Sequence, residues 1–363
     1  MNKHKVCVYA ITKNEEKFID RWYESIKDAD KIFVLDTGST DNTIDKLKKH
    51  NIVVKSEKIS PWRFDVARNL ALDMVDDDAD ICISIDIDEV FLPGWRNELE
   101  KNWDDNTTRL AYNYNWSLDD NDNPKVNFYI EKIHTRHDYI WTHPVHEVLT
   151  HTGKKENIKT VPSITVNHYP DREKSRSSYL PLLELSVEEA PNDDRNMHYL
   201  GREYMYYQRW NEAIDTLIKH LKMPSATWKD ERCASMRFIA RSYQNLNRID
   251  EAKMWLDKAI LEAPYLRDPY MERALLEYNQ KNWPEVIYYI EEALKIKEHA
   301  KSYINEVFSW DHTPYDLLSL AYFYINKPTE ALTNINIALN YLPKDERLLK
   351  NKTIIEKAIE KQS

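Results

Sequence analysis

Glycine is almost missing from this chain: 4 of 363 residues, where ordinary usage near 7% predicts about 25. Phosphate cradles made of repeated glycines are thereby excluded, and neither a Walker A loop nor a GxGxxG turn occurs. Cysteine is equally scarce. Cys7, Cys82 and Cys233 are odd in number and far apart, which suits reduced thiols in a cytoplasm rather than a disulfide framework. No apolar run approaches the ~18 residues of a membrane span. The opening MNKHKVCVYAIT sets basic residues before apolar ones, yet its apolar part is short and lacks a small-residue cleavage site. It reads as a first strand and not as a signal peptide. Positive charge is not in excess either. With 51 Lys+Arg against 61 Asp+Glu, the net charge of −10 excludes a general polyanion binder.

What remains is a globular composition, 42% hydrophobic and 31% charged, on a chain long enough for two domains. Asn, Lys, Ile, Asp and Tyr are abundant, as in proteins of AT-rich genomes, many phages included. Up to about residue 170, short β-rich runs alternate with amphipathic stretches. Val6–Ile11, Lys31–Leu35, Ile52–Lys55 and Ile81–Ile85 read as strands. Between them, Glu15–Lys27, Thr43–His50 and Asp65–Met74 have helical spacing. This βαβαβαβ order predicts a largely parallel sheet with helices on its faces. Arg109–Trp116, Asn127–Ile133 and Ser163–His168 read as a mixed or antiparallel edge, and His134–Leu149 as a loop.

From about Ser175 the strand signals vanish. Tyr199–Leu221, Arg237–Ala263, Pro269–Lys297 and Tyr315–Leu342 each read as helix, turn, helix, with Met223–Arg232 and Lys297–Pro314 as insertions. RWNEAIDTLIKHL, RIDEAKMWLDKAI, NWPEVIYYIEEAL and KPTEALTNINIAL align at Ala213, Ala252, Val286 and Ala331. A period near 34 with small residues at helix contacts resembles tetratricopeptide repeats. The expected organisation is an α/β domain over 1–174, a linker helix over 175–196 and an all-α repeat domain over 197–363.

Chemistry concentrates at ICISIDIDE, Ile81–Glu89, where a buried-strand pattern ends in Asp86 and Asp88. Spacing by two puts both carboxylates on one side of an extended backbone. Two such neighbours repel unless a cation or an arginine lies between them. The plain alternative is a solvated turn, since Asp also favours turns. Other strand ends carry Ile11-Thr12-Lys13-Asn14-Glu15-Glu16 and Asp36-Thr37-Gly38-Ser39-Thr40-Asp41-Asn42-Thr43. Phe64-Asp65-Val66-Ala67-Arg68-Asn69 follows, then His143-Pro144-Val145-His146-Glu147 and Asn167-His168-Tyr169. Ligands in open α/β sheets bind beyond the carboxyl ends of strands.

In this order the motifs NEE, D-x-GSTD-T, ARN and D-x-D resemble the family 2 glycosyltransferases of GT-A fold. That resemblance implies a metal-dependent inverting transfer from a nucleotide-sugar donor, with UDP-sugars the expected class. It places Thr12, Asn14 and Glu15 around the base or ribose, Asp36 as a base-binding carboxylate and Arg68 near phosphate. Asp88 is implied as a ligand of Mn²⁺ or Mg²⁺, Asp86 as a contact to ribose or metal, and His168 as a further metal ligand. Glu147 is the expected catalytic base, with His146 the alternative. The HPVHE segment departs from the Glu-Asp pair commonest at that position. Trp141, Trp116 and Tyr139 are candidate platforms for sugar faces.

A catalytic domain joined to repeats is similar to the peptide S-glycosyltransferases of glycocin biosynthesis and to phage-encoded glycosyltransferases. The acceptor class implied is macromolecular: a peptide or protein side chain, a modified DNA base, or an envelope glycan. The stretch Arg202–Arg248 is locally basic and points to an acidic acceptor such as DNA. The repeats also offer a surface for self-association. The competing class is a GT-A/repeat scaffold that binds partner proteins without catalysis. A nucleotidyltransferase would want a Gly- and Arg/Lys-rich phosphate loop, and ITKNEE supplies neither glycine nor arginine.

Overall fold

VCVYAIT is apolar at nearly every position because it lies mid-sheet with both faces covered. It forms β1 (Val6–Thr12) in a computed structural model that describes residues 3–171 and 179–362. The chain divides into two units, Met1–Glu189 and Ala190–Ser363. In unit 1, β1 is followed by α1 (Ile19–Ile26), β2 (Lys31–Asp36), α2 (Thr43–Lys49), β3 (Val53–Ser56), α3 (Phe64–Asp73) and β4 (Ile81–Ser84). Then come β5 (Glu89–Phe91), α4 (Trp95–Asn102), β6 (Arg109–Leu118), β7 (Pro124–Thr135), β8 (Tyr139–Thr142), β9 (Val148–His151), β10 (Ile158–His168) and α5 (Tyr179–Glu189).

Eight of these strands form one sheet in the order β3-β2-β1-β4-β7-β6-β10-β5. Its first four strands are parallel, β7 runs antiparallel to β4 and β6, and β5 runs antiparallel to β10. Alternation sorts the side chains. Val6, Val8 and Ala10 pack with Trp22, Ile26 and Leu47 on one face, while Cys7 and Tyr9 pack with Ala67, Ala71 and Leu72 on the other. From β1 the order runs outward to β2 and β3 on one side and to β4 on the other. A crevice therefore opens at the carboxyl ends of β1 and β4.

The parallel start and mixed edge agree with the sequence pattern, with three differences. His134–Leu149, expected as a loop, contributes the hairpin β8–β9, in which Tyr139 and Trp141 are buried core residues and not platforms. Alternation over two strands of four residues is too short to stand out from a loop. Neither the three-residue β5 nor α4 was expected from the residues after Asp88. Of the span 175–196, residues 175–178 and the 174/175 boundary lie outside the described residues. Tyr179–Glu189 forms α5 within unit 1.

Unit 2 is helical: α6 (Asp194–Tyr206), α7 (Trp210–Lys222), α8 (Lys229–Asn245), α9 (Ile249–Glu262), α10 (Asp268–Asn279), α11 (Trp283–Lys295), α12 (Thr313–Tyr324), α13 (Pro328–Tyr341) and α14 (Glu346–Gln362). Successive pairs α6–α7, α8–α9, α10–α11 and α12–α13 occupy the four expected hairpins. The end of the expected insertion Met223–Arg232 is helical, because α8 already begins at Lys229. Ala213, Ala252, Val286 and Ala331 are all fully buried, which is why the repeat signal sits on small residues. Among the described residues, no helix is long and apolar enough to cross a membrane. All three cysteines are free and buried.

Gly201 marks a close approach of α6 to α7. A Cβ there would meet the Leu217 side chain at 2.5 Å and its backbone nitrogen at 3.3 Å. Gly201→Ala is expected to destabilise unit 2 by about 1–3 kcal/mol through overpacking, read as an earlier denaturant midpoint with an unchanged slope.

Candidate functional site

Three clusters form at the carboxyl edge of the parallel strands, each fixed by a different piece of backbone. The first joins the ends of β1 and β2. Thr12 and Asp36 are register partners, and the Thr12 carbonyl accepts from the Thr37 N–H at 2.9 Å and the Thr37 hydroxyl at 3.0 Å. The buried Asp36 carboxylate accepts from the N–H groups of Gly38 (3.1 Å) and Ser39 (3.2 Å). It thereby folds the GST turn, in which Gly38 takes a φ of 111° that favours glycine. Asn14 Oδ1 accepts from the Thr40 N–H at 2.7 Å, and the Glu15 N–H donates to Thr43 Oγ1 at 2.8 Å. Asp41 accepts from the N–H groups of Thr43 and Glu16. NEE and GSTDNT are thus two turns zipped together, and the structure brings Thr12, Asn14, Glu15 and Asp36 to one place.

The second cluster lies at the end of β4. Arg68, buried on α3, donates to Asp86 (Nη1–Oδ1 2.8 Å), to Glu147 through Nε, and to Ser84 Oγ at 3.3 Å. Its guanidinium also lies 4.9 Å from the Trp141 ring. Lys132 of β7 donates to Asp86 Oδ2 and Glu89 Oε1, each at 3.1 Å. Glu89 accepts further from the Tyr114 hydroxyl at 2.8 Å and from the Asp86 N–H at 2.9 Å. Burial alone would raise the Asp86 carboxyl. The charges of Arg68 and Lys132 outweigh it and hold Asp86 far below the usual carboxylate range. Burial pushes Glu89 up, with the Asp86 charge adding to it against Lys132. Lys132 is raised despite its burial, because Asp86 and Glu89 favour its charged form.

Asn69, beside Arg68, exchanges two 2.8 Å hydrogen bonds with the Trp141 backbone. ARN therefore holds the β8–β9 hairpin against α3 and brings Glu147 to Arg68. His146 has a positive φ of 51° and its ring packs edge-on to Tyr179 at 5.7 Å.

The third cluster pairs Asp88 with His168. Register between β5 and β10 sets His168 opposite Glu89, and the Tyr169 N–H donates to the Asp88 carbonyl at 2.8 Å. His168 Nε2 comes to 3.5 Å from Asp88 Oδ2, while its Nδ1 is 3.1 Å from the Trp116 carbonyl oxygen. Trp116, about half exposed, stacks on the imidazole with centroids 4.6 Å apart. A carboxylate oxygen and an imidazole nitrogen whose other nitrogen is oriented by a carbonyl fit a divalent cation of the Mn²⁺ kind. Asp86 is directed elsewhere, into its two ion pairs.

Lys132, Glu89 and Tyr114 were not among the residues expected from the sequence. Glu89 was in view as the last letter of DIDE. Lys132 had one signal, a lysine inside the otherwise strand-like run NFYIEKI. Burial tends to lower His168, but its contact with Asp88 reverses the shift and raises it. A raised folded value means that the contact stabilises the fold fully below the unfolded value of about 6.5 and is lost as pH rises through the folded one. In metal-free protein, the His168 ring is expected to titrate above about 6.5, and Asp88→Asn to lower that midpoint. Histidine NMR titration, assigned with a His168 variant, checks both. A wild-type midpoint at or below 6.5 contradicts the pairing.

Residues 7–151 match the glycosyl transferase family 2 family. The match spans β1 to β9 and includes Asp36, Arg68, Asp86, Asp88, His146 and Glu147; His168 lies beyond it. Comparison with curated proteins gives no match. Among solved structures, the chain is similar to the C-terminal part of a TPR repeat-containing protein from Cytophaga hutchinsonii. Identity is 16%, coverage is 51% of this chain and 68% of that one, and the TM-score is 0.42. It is also similar to a thermophilic TPR protein of Thermus thermophilus, at 17% identity, covering 50% of this chain and 90% of that one, with a TM-score of 0.33. A third, MamA, is 18% identical over 47% of this chain and 85% of that one, with a TM-score of 0.37. The strand order, the zipped turns at its edge and the match over residues 7–151 make the N-terminal part of this chain a glycosyl transferase family 2 domain, followed by tetratricopeptide-like helical repeats.

Proposed function

We propose that this protein is a metal-dependent inverting glycosyltransferase that moves a sugar from a UDP-sugar to a macromolecular acceptor. The observation that carries the reading is the Asp88–His168 pair at 3.5 Å beside the β1/β4 crevice. Asp88 and His168 would hold Mn²⁺ or Mg²⁺, and the ion would neutralise the diphosphate as it leaves. Asp36, Asn14 and Glu15 shape the zipped turns into a wall for the nucleoside. Trp116, exposed next to His168, offers an aromatic face for a sugar ring.

Inversion requires a base that removes the acceptor's proton as the anomeric carbon takes oxocarbenium character. Glu147 has that role in this reading, and Arg68 orients it. Asp86 and Lys132 act indirectly, by keeping Arg68 in place and the strand end charge-compensated. The basic stretch of the repeats gives little support to a nucleic-acid acceptor. Arg209, Arg232, Arg237, Arg241 and Arg248 are all paired with glutamates, which weakens the field a polyanion would meet. A peptide or glycan acceptor fits that neutralised surface better.

Incubation with a panel of UDP-sugars and Mn²⁺, without acceptor, is expected to release UDP slowly. Asp88→Ala should lower that release by about a hundredfold or more with the circular dichroism spectrum unchanged. Near-normal turnover in this variant, or no binding of any UDP-sugar by the wild type, defeats the proposal. Glu147→Gln is expected to abolish transfer to acceptor while donor binding survives. Joint loss of both would make Glu147 a structural partner of Arg68 and no base.

A further inference from the structure

Within unit 2, where α6, α7 and α8 meet, positions that helical repeats ordinarily fill with apolar side chains hold two histidines, a glutamate and a serine. His198 comes from α6, His220 from α7, and Glu231 and Ser235 lie one turn apart on α8. His198, His220 and Ser235 are fully buried, and Glu231 is 4% exposed. Candidate ligand atoms of His198, His220 and Glu231 all lie within 4.8 Å of one another. Among the described residues, no other set of three His, Cys, Asp or Glu side chains is so gathered.

The orientation is more specific than the proximity. Ser235 Oγ lies 2.7 Å from His198 Nδ1 and 2.9 Å from His220 Nδ1. It takes up the Nδ1 edge of both rings and leaves their Nε2 edges for something else. Both Nε2 atoms are buried without a hydrogen-bond partner among the described residues, an arrangement that costs free energy unless a ligand completes it. His220 Nε2 is already 3.4 Å from Glu231 Oε1. The other Glu231 oxygen accepts from the Tyr303 hydroxyl at 2.8 Å. Burial also keeps His198 neutral, the form in which imidazole binds metal.

We propose that His198 Nε2, His220 Nε2 and a Glu231 carboxylate oxygen bind a divalent transition-metal ion of the Zn²⁺ type, which ties together the first three helices of unit 2. Two imidazoles and one carboxylate are a donor set that Zn²⁺ favours. Two donors on one Zn²⁺ sit roughly 3.4 Å apart, so the His220–Glu231 spacing already fits and His198 needs only a small ring movement. Ser235 serves as the outer-shell orienter, accepting an Nδ1–H from each ring with its two lone pairs. Each ring binds as its neutral Nδ1–H tautomer, so a neutral His220 protonated on Nε2 moves that proton to Nδ1 through solvent as the metal enters. Burial of all three ligands assigns the ion to holding the fold of unit 2.

The test uses the full chain carrying Asp88→Ala, so that the unit 1 pair cannot contribute, after treatment with a chelator. Calorimetric titration with Zn²⁺ is expected to show one equivalent bound, and saturation to raise the melting temperature by roughly 5–10 °C. Adding His198→Ala or His220→Ala should weaken binding by about a hundredfold or more, and Ser235→Ala by about tenfold. Absence of Zn²⁺ binding in the Asp88→Ala chain, or full-strength binding after His198→Ala, overturns the proposal. Should the histidine variants fail to fold, zinc-edge X-ray absorption on the Asp88→Ala chain decides. Two imidazole ligands are expected, and a spectrum without imidazole scattering refutes the site.

Discussion

The end of β4 in unit 1 depends on compensating the negative charge gathered there. Asp86, Glu89 and Glu147 converge there, and Arg68 and Lys132 are the two cations among them. Each comes from a different element: β4 and its turn, β5, the approach to β9, α3 and β7. The ion pairs therefore tie together side chains from elements far apart in sequence. Removing one partner from such a group leaves a buried charge uncompensated, at a cost of about 3–5 kcal/mol. The same compensation divides the aspartate pair. Asp86 is committed to arginine and lysine, and Asp88 faces His168.

The sheet order makes this division possible. Because β4 adds to the opposite side of β1 from β2, the turn after β4 lies beside the crevice and not over it. β7 then enters antiparallel and carries Lys132 under the turn. β10 and β5 pair at the far edge, which returns His168 to the residues just after the D-x-D. Trp116, on β6 beside β10, reaches the same spot through the parallel register of those two strands. Four chain segments distant in sequence thus meet within one small region.

Unit 2 applies comparable physics to a helical frame. Arg237 is fully buried yet paired with Glu272 and Glu306, and Arg241 shares both partners. At His198 and His220, Ser235 takes up the Nδ1 atoms and the Nε2 atoms are left over. Polar groups in a repeat core are tolerated when every one is satisfied. These two face the Glu231 carboxylate, with His220 Nε2 at 3.4 Å from it.

Much of the fold was legible in the sequence. β1, β2 and β4 follow from apolar runs bounded by turn residues, α1 from Phe18, Trp22 and Ile26, and the four hairpins from the recurrence of Ala213, Ala252, Val286 and Ala331. The β8–β9 hairpin was not, because strands of four residues carry too little alternation. Of the site, the strand-end motifs could be anticipated as positions. Which carboxylate was bound by what could not. Lys132 lies 46 residues from Asp86 and Glu147 lies 79 from Arg68, and nothing in either local pattern links them. By itself the sequence determined the elements, their order and the chemistry stored at their ends, because hydrophobic period and turn preference act over a few neighbouring residues. Only the tertiary structure decided that Asp86 is held in ion pairs, that Asp88 meets His168, and that His198, His220 and Glu231 meet at all. Those outcomes depend on strand register and helix packing, which bring together side chains whose sequence separation carries no information about their contact.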